Sequence, residues 1–210
     1  MPRQEKVQSS SVIETHGTHW SLVVGRGLRL MLADAPQELE PHVADTPNRV
    51  VRMYEDELLM GLGADPASVL SSSITKVTGF PNHQYDQMVI VKDVEFVSWC
   101  AHHLLPFIGH VHFAYLPGKK LVGLSKIGRL IDVLSKRPQL QELLTSQIVD
   151  VFQKVVQPKG CGACISALHT CMSVRGVKKA QATTITTALR GCFKKPDVKA
   201  EFLGYVGGGK

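Results

Sequence analysis

The amino-acid sequence predicts an α+β domain with an antiparallel sheet in the order ββααββ, preceded by an N-terminal helical segment. Two changes in hydrophobic periodicity support this class, because strand-like patterns give way to helical spacing near residue 125 and return near residue 163. A chain of 210 residues can hold one substantial core with a helical appendage. We therefore expect a flexible arm over residues 1–26, a helical segment and loop over 27–86, the α+β domain over 87–206, and a flexible tail over 207–210.

The N-terminal helical segment has one clear start signal. Asp45 can cap a helix, and Pro47 suits its first turn. Residues at helical spacing follow as far as Leu58, and Gly61 and Gly63 then end the pattern. Residues 64–86 contain Pro, Gly, Ser and Asn and are expected to form a loop.

The first half of the sheet is predicted from strand composition. Residues 88–97 are rich in Val and Ile, and Val111, Phe113 and Tyr115 alternate with smaller or polar neighbours. The pair Pro117–Gly118 marks a turn before residues 121–124, so we expect a β-hairpin here.

Two helices and two further strands complete the order. Ser125 can cap a helix whose apolar face ends at Leu134, and Pro138 separates it from a second amphipathic stripe over residues 140–155. Pro158 and Gly160 stop that stripe. Residues 163–172 and 183–189 then have strand patterns, the last one rich in Thr.

Composition narrows the classes of partner. The net charge is +6 and the isoelectric point about 9.1, but Lys and Arg are scattered and only 6% of residues are aromatic, which favours a small phosphorylated ligand over nucleic acid. Apolar runs are too short for a membrane span of about 18 residues, and the N-terminus lacks a signal-peptide pattern. We expect no membrane partner and a reducing, cytoplasmic location, where five cysteines favour metal binding, catalysis or burial over disulfides.

A candidate metal site begins at Cys100 and His103, which are three residues apart, so one tight turn can present both to the same ion. The segment 167–171 offers a third ligand, because a strand would place His169 and Cys171 on one face. Two cysteines and one histidine would leave a fourth position for water, the pattern of catalytic zinc. His102 and His169 are then candidates for proton transfer.

Two other interpretations of these residues stay open. Taken singly, the cysteines and histidines could be buried thiols and hydrogen-bonded side chains. A structural zinc site with four cysteines could also use Cys161 and Cys164, although residues three apart on a strand face opposite ways.

Several ordered motifs lead to a family resemblance. They span the chain from residue 46 to residue 203 and are, in order, Thr46-Pro47-Asn48-Arg49-Val50, Cys100-x-His102-His103, Pro106-Phe107-x-Gly109, Tyr115-Leu116-Pro117, Gly123-Leu124-Ser125-Lys126, Arg137-Pro138-Gln139-Leu140-Gln141-Glu142, His169-x-Cys171-Met172-x-x-Arg175-Gly176 and Glu201-Phe202-Leu203.

With these motifs the chain resembles the type I GTP cyclohydrolases. The resemblance implies a tunnelling fold (T-fold) and a homodecamer with active sites at subunit boundaries. It also implies a reaction in which a water activated at zinc attacks C8 of GTP, giving 7,8-dihydroneopterin triphosphate and formate.

The resemblance also assigns roles to individual residues. It implies that Zn²⁺ is held by Cys100, His103 and Cys171, and that His102 and His169 are the catalytic acid/base groups. The implied substrate-binding residues are Gln141 and Glu142 at the guanine edge, Ser125, Lys126, Arg129 and Arg175 at the triphosphate, and Arg49 with Arg52 from a neighbouring subunit.

One position departs from the family pattern. Ala101 follows the first zinc cysteine, where the family commonly has Glu, whose carboxylate could orient neighbouring groups. Two alternative functions stay open: another T-fold purine or pterin enzyme resembling 7-deazaguanine reductase and, because of Ala101, a zinc-stabilised GTP-binding scaffold with impaired turnover.

Overall fold

The computed structural model describes residues 19–72, 74–76 and 85–207. By internal packing the chain divides into two compact units, Met1–Glu57 and Leu58–Lys210. Most of the predicted arm (residues 1–18) and the last three residues of the predicted tail lie outside the described residues. The predicted limits at residues 26, 86 and 206 stay predictions, and the division by packing falls after Glu57.

The described part of the first unit, from residue 19 onwards, consists of short helices. They are α1 (His19–Met31), α2 (Glu40–Val43) and α3 (Thr46–Met53), which continues into a π-helical turn over Tyr54–Leu58. Helix α1 starts within the segment expected to be a flexible arm. It packs against α3, where Arg29 donates a hydrogen bond of 3.1 Å to the Asn48 side chain. Asp45 precedes α3 as predicted, but its carboxylate accepts hydrogen bonds from the Asn48 and Arg52 side chains.

The second unit begins with elements in the segment predicted to be a loop. Helix α4 (Pro66–Ser71) starts there because the Asp65 carboxylate accepts a hydrogen bond of 3.0 Å from the backbone N–H of Ala67. Strand β1 (Ile74–Lys76) pairs antiparallel with β4 (Lys120–Val122). The hairpin predicted across Pro117–Gly118 is therefore wrong, because β4 finds its partner in β1.

In the described part of the chain, the main sheet has five strands. In sheet order they are β5 (Pro138–Gln139), β2 (Val89–Cys100), β3 (Pro106–Leu116), β6 (Gly160–His169) and β7 (Thr183–Gly191). All neighbours are antiparallel except β5 and β2. Helices α5 (Leu124–Ser135) and α6 (Gln141–Val156) lie between the two strand pairs in the sequence, which confirms the order ββααββ, with β5 as a short addition.

Helices α5 and α6 cover one face of this sheet. The apolar stripe predicted for α5 is fully buried at Ile127, Leu130 and Ile131. It packs in one core with alternate residues of β3, such as Phe113 and Tyr115. Helix α5 begins after Gly123, which takes the N-cap position, so Ser125 lies within the first turn and the predicted cap is wrong.

The opposite face is covered in part by a helix that the sequence interpretation did not include. Helix α8 (Pro196–Gly207) follows a 3₁₀ turn over Cys192–Lys194. Phe202 from α8 packs with Phe193, Ala114 and Cys164 in a second, smaller core. Among the residues that the structure describes, no helix is long and apolar enough to cross a membrane.

Candidate metal centre

The candidate centre lies where β2 ends and turns towards β3. Cys100 is the last residue of β2, and residues 101–103 form the turn. The turn is held by hydrogen bonds from the N–H of Leu104 to the carbonyl of Cys100 (2.8 Å) and from the N–H of Cys100 to the carbonyl of Leu105 (2.9 Å). Leu104 adopts a positive φ of 53°, which allows the chain to reverse directly after His103.

Cys171 lies beside this turn, on an element that the sequence did not predict. Strand β6 ends at His169, and Thr170–Ser173 form a single helical turn, α7, so Cys171 is not on a strand face. The Thr170 hydroxyl donates a hydrogen bond of 2.6 Å to the carbonyl of Pro106 at the start of β3. This bond fixes α7 beside the turn that carries Cys100 and His103.

The three predicted ligands converge. The sulfur atoms of Cys100 and Cys171 and a ring nitrogen of His103 all lie within 4.8 Å of one another. Tetrahedral zinc with bonds of about 2.3 Å to sulfur and about 2.0 Å to nitrogen requires ligand atoms separated by roughly 3.5–3.8 Å, a small adjustment from this geometry. Two thiols and one imidazole are also a donor set that zinc prefers.

The electrostatics of the two thiols favour a cation between them. Burial raises the pKa of Cys171, and the proximity of Cys100 raises it further, whereas the charge of Arg175 lowers it. Two neighbouring thiolates repel each other unless a positive charge lies between them. A divalent metal would supply that charge.

His102 lies beside the ligand Cys100. Its Nδ1 is 3.7 Å from the Cys100 sulfur, and the two imidazole rings are 6.2 Å apart and inclined by 65°. His102 is exposed, so its ring can meet a ligand entering from solvent. Ala101 is also exposed, and its N–H donates to the carbonyl of Gln139 at 2.9 Å.

His169 is held more tightly than His102. Its Nε2 lies 2.7 Å from Oε1 of Gln141, and its ring stacks on Phe107 with centroids 4.6 Å apart and planes inclined by 5°. Burial lowers the pKa of His169, and the Glu142 carboxylate raises it by a smaller amount. In the sequence, Phe107 stood out only as part of the Pro106-Phe107-x-Gly109 motif, and its contact with His169 was not predicted.

The two residues predicted to bind guanine occupy different environments. Helix α6 begins directly after β5, which pairs with the end of β2, so Gln141 and Glu142 lie near Cys100. Glu142 is exposed. Gln141 is only 2% exposed, and its side chain is bonded to protein groups on β6 and β7 as well as to His169.

The residues predicted to bind triphosphate do not all lie on the side of the candidate metal centre. Ser125, Lys126 and Arg129 lie in the first half of α5, which starts near β4, whereas the last turn of α5 leads to β5 and the candidate centre. Because α5 has 12 residues, its ends are about 18 Å apart. The Lys126 ammonium donates a hydrogen bond of 2.8 Å to Ser72. Arg175 is exposed two residues after α7, on the side of the centre.

Arg49 and Arg52 belong to α3 in the first unit. Arg49 donates hydrogen bonds of 2.9 Å to the carbonyl of His42 and to the Thr46 hydroxyl. Arg52 forms an exposed ion pair of 3.4 Å with Asp45. Both guanidinium groups are exposed in this chain.

A zinc site built from four cysteines does not form. Cys161 and Cys164 lie on opposite faces of β6, since Cys161 packs in the larger core and Cys164 in the smaller one. Within the described part of the chain, the one His, Cys and carboxylate cluster with metal-binding geometry is that of Cys100, His103 and Cys171.

Comparison with known proteins identifies the family. The sequence model for GTP cyclohydrolase I matches residues 28–207. The chain belongs to the GTP cyclohydrolase I family. The GTP cyclohydrolase 1 of Caldanaerobacter subterraneus subsp. tengcongensis is 49% identical over 164 residues, which cover 77% of this chain and 83% of that protein. The GTP cyclohydrolase 1 of Brucella canis is 38% identical over 202 residues, covering 95% and 92%.

The fold agrees with membership of the GTP cyclohydrolase I family. The prediction of an α+β tunnelling fold is confirmed by the family match and by the ββααββ order of the main sheet. Among solved structures, an archaeosine synthase QueF-Like protein in the apo form is similar with a TM-score of 0.43 and 15% identity, over 51% of this chain and 97% of that chain.

Proposed function

We propose that this chain is a GTP cyclohydrolase I that converts GTP and water to 7,8-dihydroneopterin triphosphate and formate. The observation that supports this most strongly is the convergence of Cys100, His103 and Cys171 beside two further histidines, in a chain of the GTP cyclohydrolase I family. The relatives named GTP cyclohydrolase 1 support the same activity.

The proposal assigns Zn²⁺ to the three-ligand cluster. The donor set suits zinc better than a hard cation such as Mg²⁺, which prefers oxygen ligands. Bound there, zinc would act as a Lewis acid that lowers the pKa of water towards about 7 and polarises the carbon under attack. Ala101 contributes no ligand atom to the cluster, so its difference from the family pattern leaves metal binding intact.

His102 and His169 are proposed to move protons during the reaction. Opening the imidazole ring, releasing formate and closing the pteridine ring require protons to be delivered and removed at different atoms. One exposed imidazole, that of His102, and one held by a hydrogen bond, that of His169, can serve these opposite needs.

Glu142 is proposed to read the guanine base. Its carboxylate is exposed in the first turn of α6, close enough to affect the pKa of His169. A carboxylate can accept hydrogen bonds from both N1–H and the exocyclic amine of guanine. Adenine has no N1–H, so this contact would discriminate against ATP.

The triphosphate contacts are proposed to come from more than one chain. Arg175 lies on the side of the ligand cluster, but Ser125, Lys126 and Arg129 are in the first half of α5, whereas its last turn leads to the cluster. Two cations near a helix N-terminus suit a polyphosphate. They would meet the triphosphate bound at another subunit's metal centre, with Arg49 and Arg52 of a neighbouring subunit, in a homodecamer with shared active sites.

The proposal includes a cytoplasmic location. All five cysteines are free thiols, a state that a reducing compartment maintains. The same reducing conditions keep Cys100 and Cys171 available as metal ligands.

Turnover of GTP together with metal content tests the proposed function. We expect zinc close to one ion per chain, a fluorescent oxidised pterin after GTP incubation, and loss of both in Cys171→Ser. Cys164→Ser is the matched control, because Cys164 lies in the smaller core and is not a ligand. Zinc at full occupancy with no pterin would contradict the proposal and favour a binding scaffold.

A further inference from the structure

Gln141 is a buried side chain whose every polar atom is engaged within this chain. Its amide nitrogen lies 2.9 Å from the carbonyl oxygen of Thr184 and 3.2 Å from that of Ile165. Carbonyl oxygens only accept hydrogen bonds, so the atom facing them must be the NH₂ group. This settles the orientation of the amide and places Oε1 against His169.

A chain of hydroxyls fixes the same orientation independently. The Thr145 hydroxyl donates to the backbone carbonyl of Gln141 at 2.6 Å and lies 2.7 Å from the Thr186 hydroxyl. Because the Thr145 hydroxyl donates its only hydrogen to the Gln141 carbonyl, the Thr186 hydroxyl must be the donor in the bond to Thr145. The Thr186 oxygen then accepts from the Gln141 NH₂ group at 3.1 Å.

The amide orientation determines which nitrogen of His169 carries a proton. Oε1 of Gln141 can only accept, and it lies 2.7 Å from Nε2 of His169, so Nε2 must be the N–H donor. Neutral His169 is therefore the Nε2–H tautomer, and its lone pair is on Nδ1. Stacking on Phe107 fixes the plane of the ring.

We propose that Gln141 is a positioning residue, which holds His169 in the Nε2–H tautomer and leaves Nδ1 as its proton-accepting atom in the reaction. This inference rests on the proposed function for the catalytic use of His169, but not for the tautomer itself. It also replaces the predicted contact of the Gln141 side chain with guanine, because a side chain 2% exposed with four protein partners has no free polar atom to offer.

A purely structural role is the main competing explanation. Gln141 joins the start of α6 to β6 and β7, so its loss could act through stability alone. The two roles differ in what they change. Loss of a structural tie lowers the thermal midpoint, whereas loss of a positioning contact also changes the tautomer of His169 and lowers kcat with little effect on KM.

Nitrogen NMR of the imidazole rings in the full-length, zinc-loaded protein tests the proposal without GTP. In histidine labelled with nitrogen-15, the two tautomers differ in their nitrogen shifts and in the couplings to the ring protons. Assigned with His169→Gln as reference and measured at about pH 8, where an unperturbed imidazole is neutral, His169 should show the Nε2–H pattern. A protonated Nδ1 in the wild-type protein would overturn the proposal.

Three variants complete the test. Gln141→Met keeps the length of the side chain but removes the amide oxygen that accepts from His169. In this variant we expect a mixture of His169 tautomers. We also expect kcat to be about 10- to 100-fold lower, with KM changed less than about threefold. Gln141→Glu keeps an acceptor towards His169 and should retain the Nε2–H tautomer even if it is less stable. Gln153→Met is the control, because Gln153 lies on the same helix and donates to the carbonyl of Pro158.

The outcomes separate this inference from the proposed function. A Gln141→Met protein with the wild-type tautomer and a raised KM would overturn the positioning role and restore the guanine contact. If Gln141→Met does not fold, the wild-type and Gln141→Glu spectra still decide the tautomer. An Nε2–H tautomer in a protein that does not turn over GTP would refute the proposed function and leave the tautomer assignment standing.

Discussion

Cys161 and Cys171 show how the fold gives two thiols opposite chemistry. Cys161 is fully buried on β6 beneath α6, and burial raises the pKa of its thiol to about 12. Cys171 is half-buried on α7 with another thiol and an imidazole within 4.8 Å. A metal ligand must be a thiolate, so only the second environment suits one.

We expect Cys161 to resist alkylation in the native protein. With a pKa of about 12, roughly one thiol in ten thousand is ionised at about pH 8, and the group is also shielded from solvent. Because the folded state raises this pKa, reactivity should increase as pH rises or when the chain unfolds. Mass spectrometry after iodoacetamide treatment should find Cys161 unmodified in native protein and modified in denaturant. Rapid native labelling would contradict the assigned burial.

Sequence spacing predicted the proximity of Cys100 and His103, but not the longer-range contacts around them. Cys100 and His103 are three residues apart on one turn, so their closeness can be predicted from the sequence alone. The bond between Gln141 and His169 joins residues 28 apart, and the bond to Thr184 joins residues 43 apart. Such contacts depend on how α6 packs over β6 and β7, which no local pattern encodes.

At the scale of elements, long amphipathic segments were predicted well and short ones poorly. Helices α5 and α6 and strands β2, β3, β6 and β7 follow from apolar periodicity over many residues. The single turn α7 and the two-residue strand β5 are too short to show a period, and both depend on tertiary contacts. Helix α8 did carry a signal, since Pro196 precedes Val198, Phe202 and Val206 at intervals of four.

Close packing of β3 against β6 leads to a paired prediction about glycine. A Cβ at Gly109 would collide with the carbonyl of Ser166 and lie 2.7 Å from Cα of Ala167, whereas one at Gly128, in α5, meets nothing within 4 Å. We expect Gly109→Ala to destabilise by about 3 kcal/mol or more, and Gly128→Ala to stabilise by about 0.5–1 kcal/mol. Thermal midpoints at matched protein concentration measure both. Equal effects of the two substitutions would refute the packing argument.

At the scale of the whole molecule, a single chain holds the proposed metal centre but not the whole of the proposed triphosphate site. The three ligands lie together, with His169 and Glu142 close to each other, whereas Lys126 and Arg129 lie in the first half of α5, away from its last turn. We propose that in a homodecamer one subunit completes the site of another, so that each chain contributes to two sites.

Mixed oligomers test this sharing of sites. Chains with Cys171→Ser lack a ligand, and chains with Lys126→Ala and Arg129→Ala lack the proposed phosphate contacts, so each alone should be inactive or nearly so. Co-expressed in equal amounts, they should recover about a quarter of wild-type activity, the fraction of randomly formed sites with both parts intact. Cys171→Ser mixed with His103→Ala should recover nothing, since both changes affect the same metal centre. Failure of the first mixture to recover would place both parts in one chain.

The fate of C8 of GTP is the sharpest test of the proposed reaction. With GTP labelled with carbon-13 at C8, NMR of the zinc-loaded protein should show the label leaving the purine and appearing as free formate, while an unlabelled pterin accumulates in equal amount. We expect removal of the metal by a chelator to stop this transfer and added Zn²⁺ to restore it. Label that stays in the purine, or stops as a formylated ring-opened product, with zinc fully bound would show that this chain does not carry out the proposed reaction.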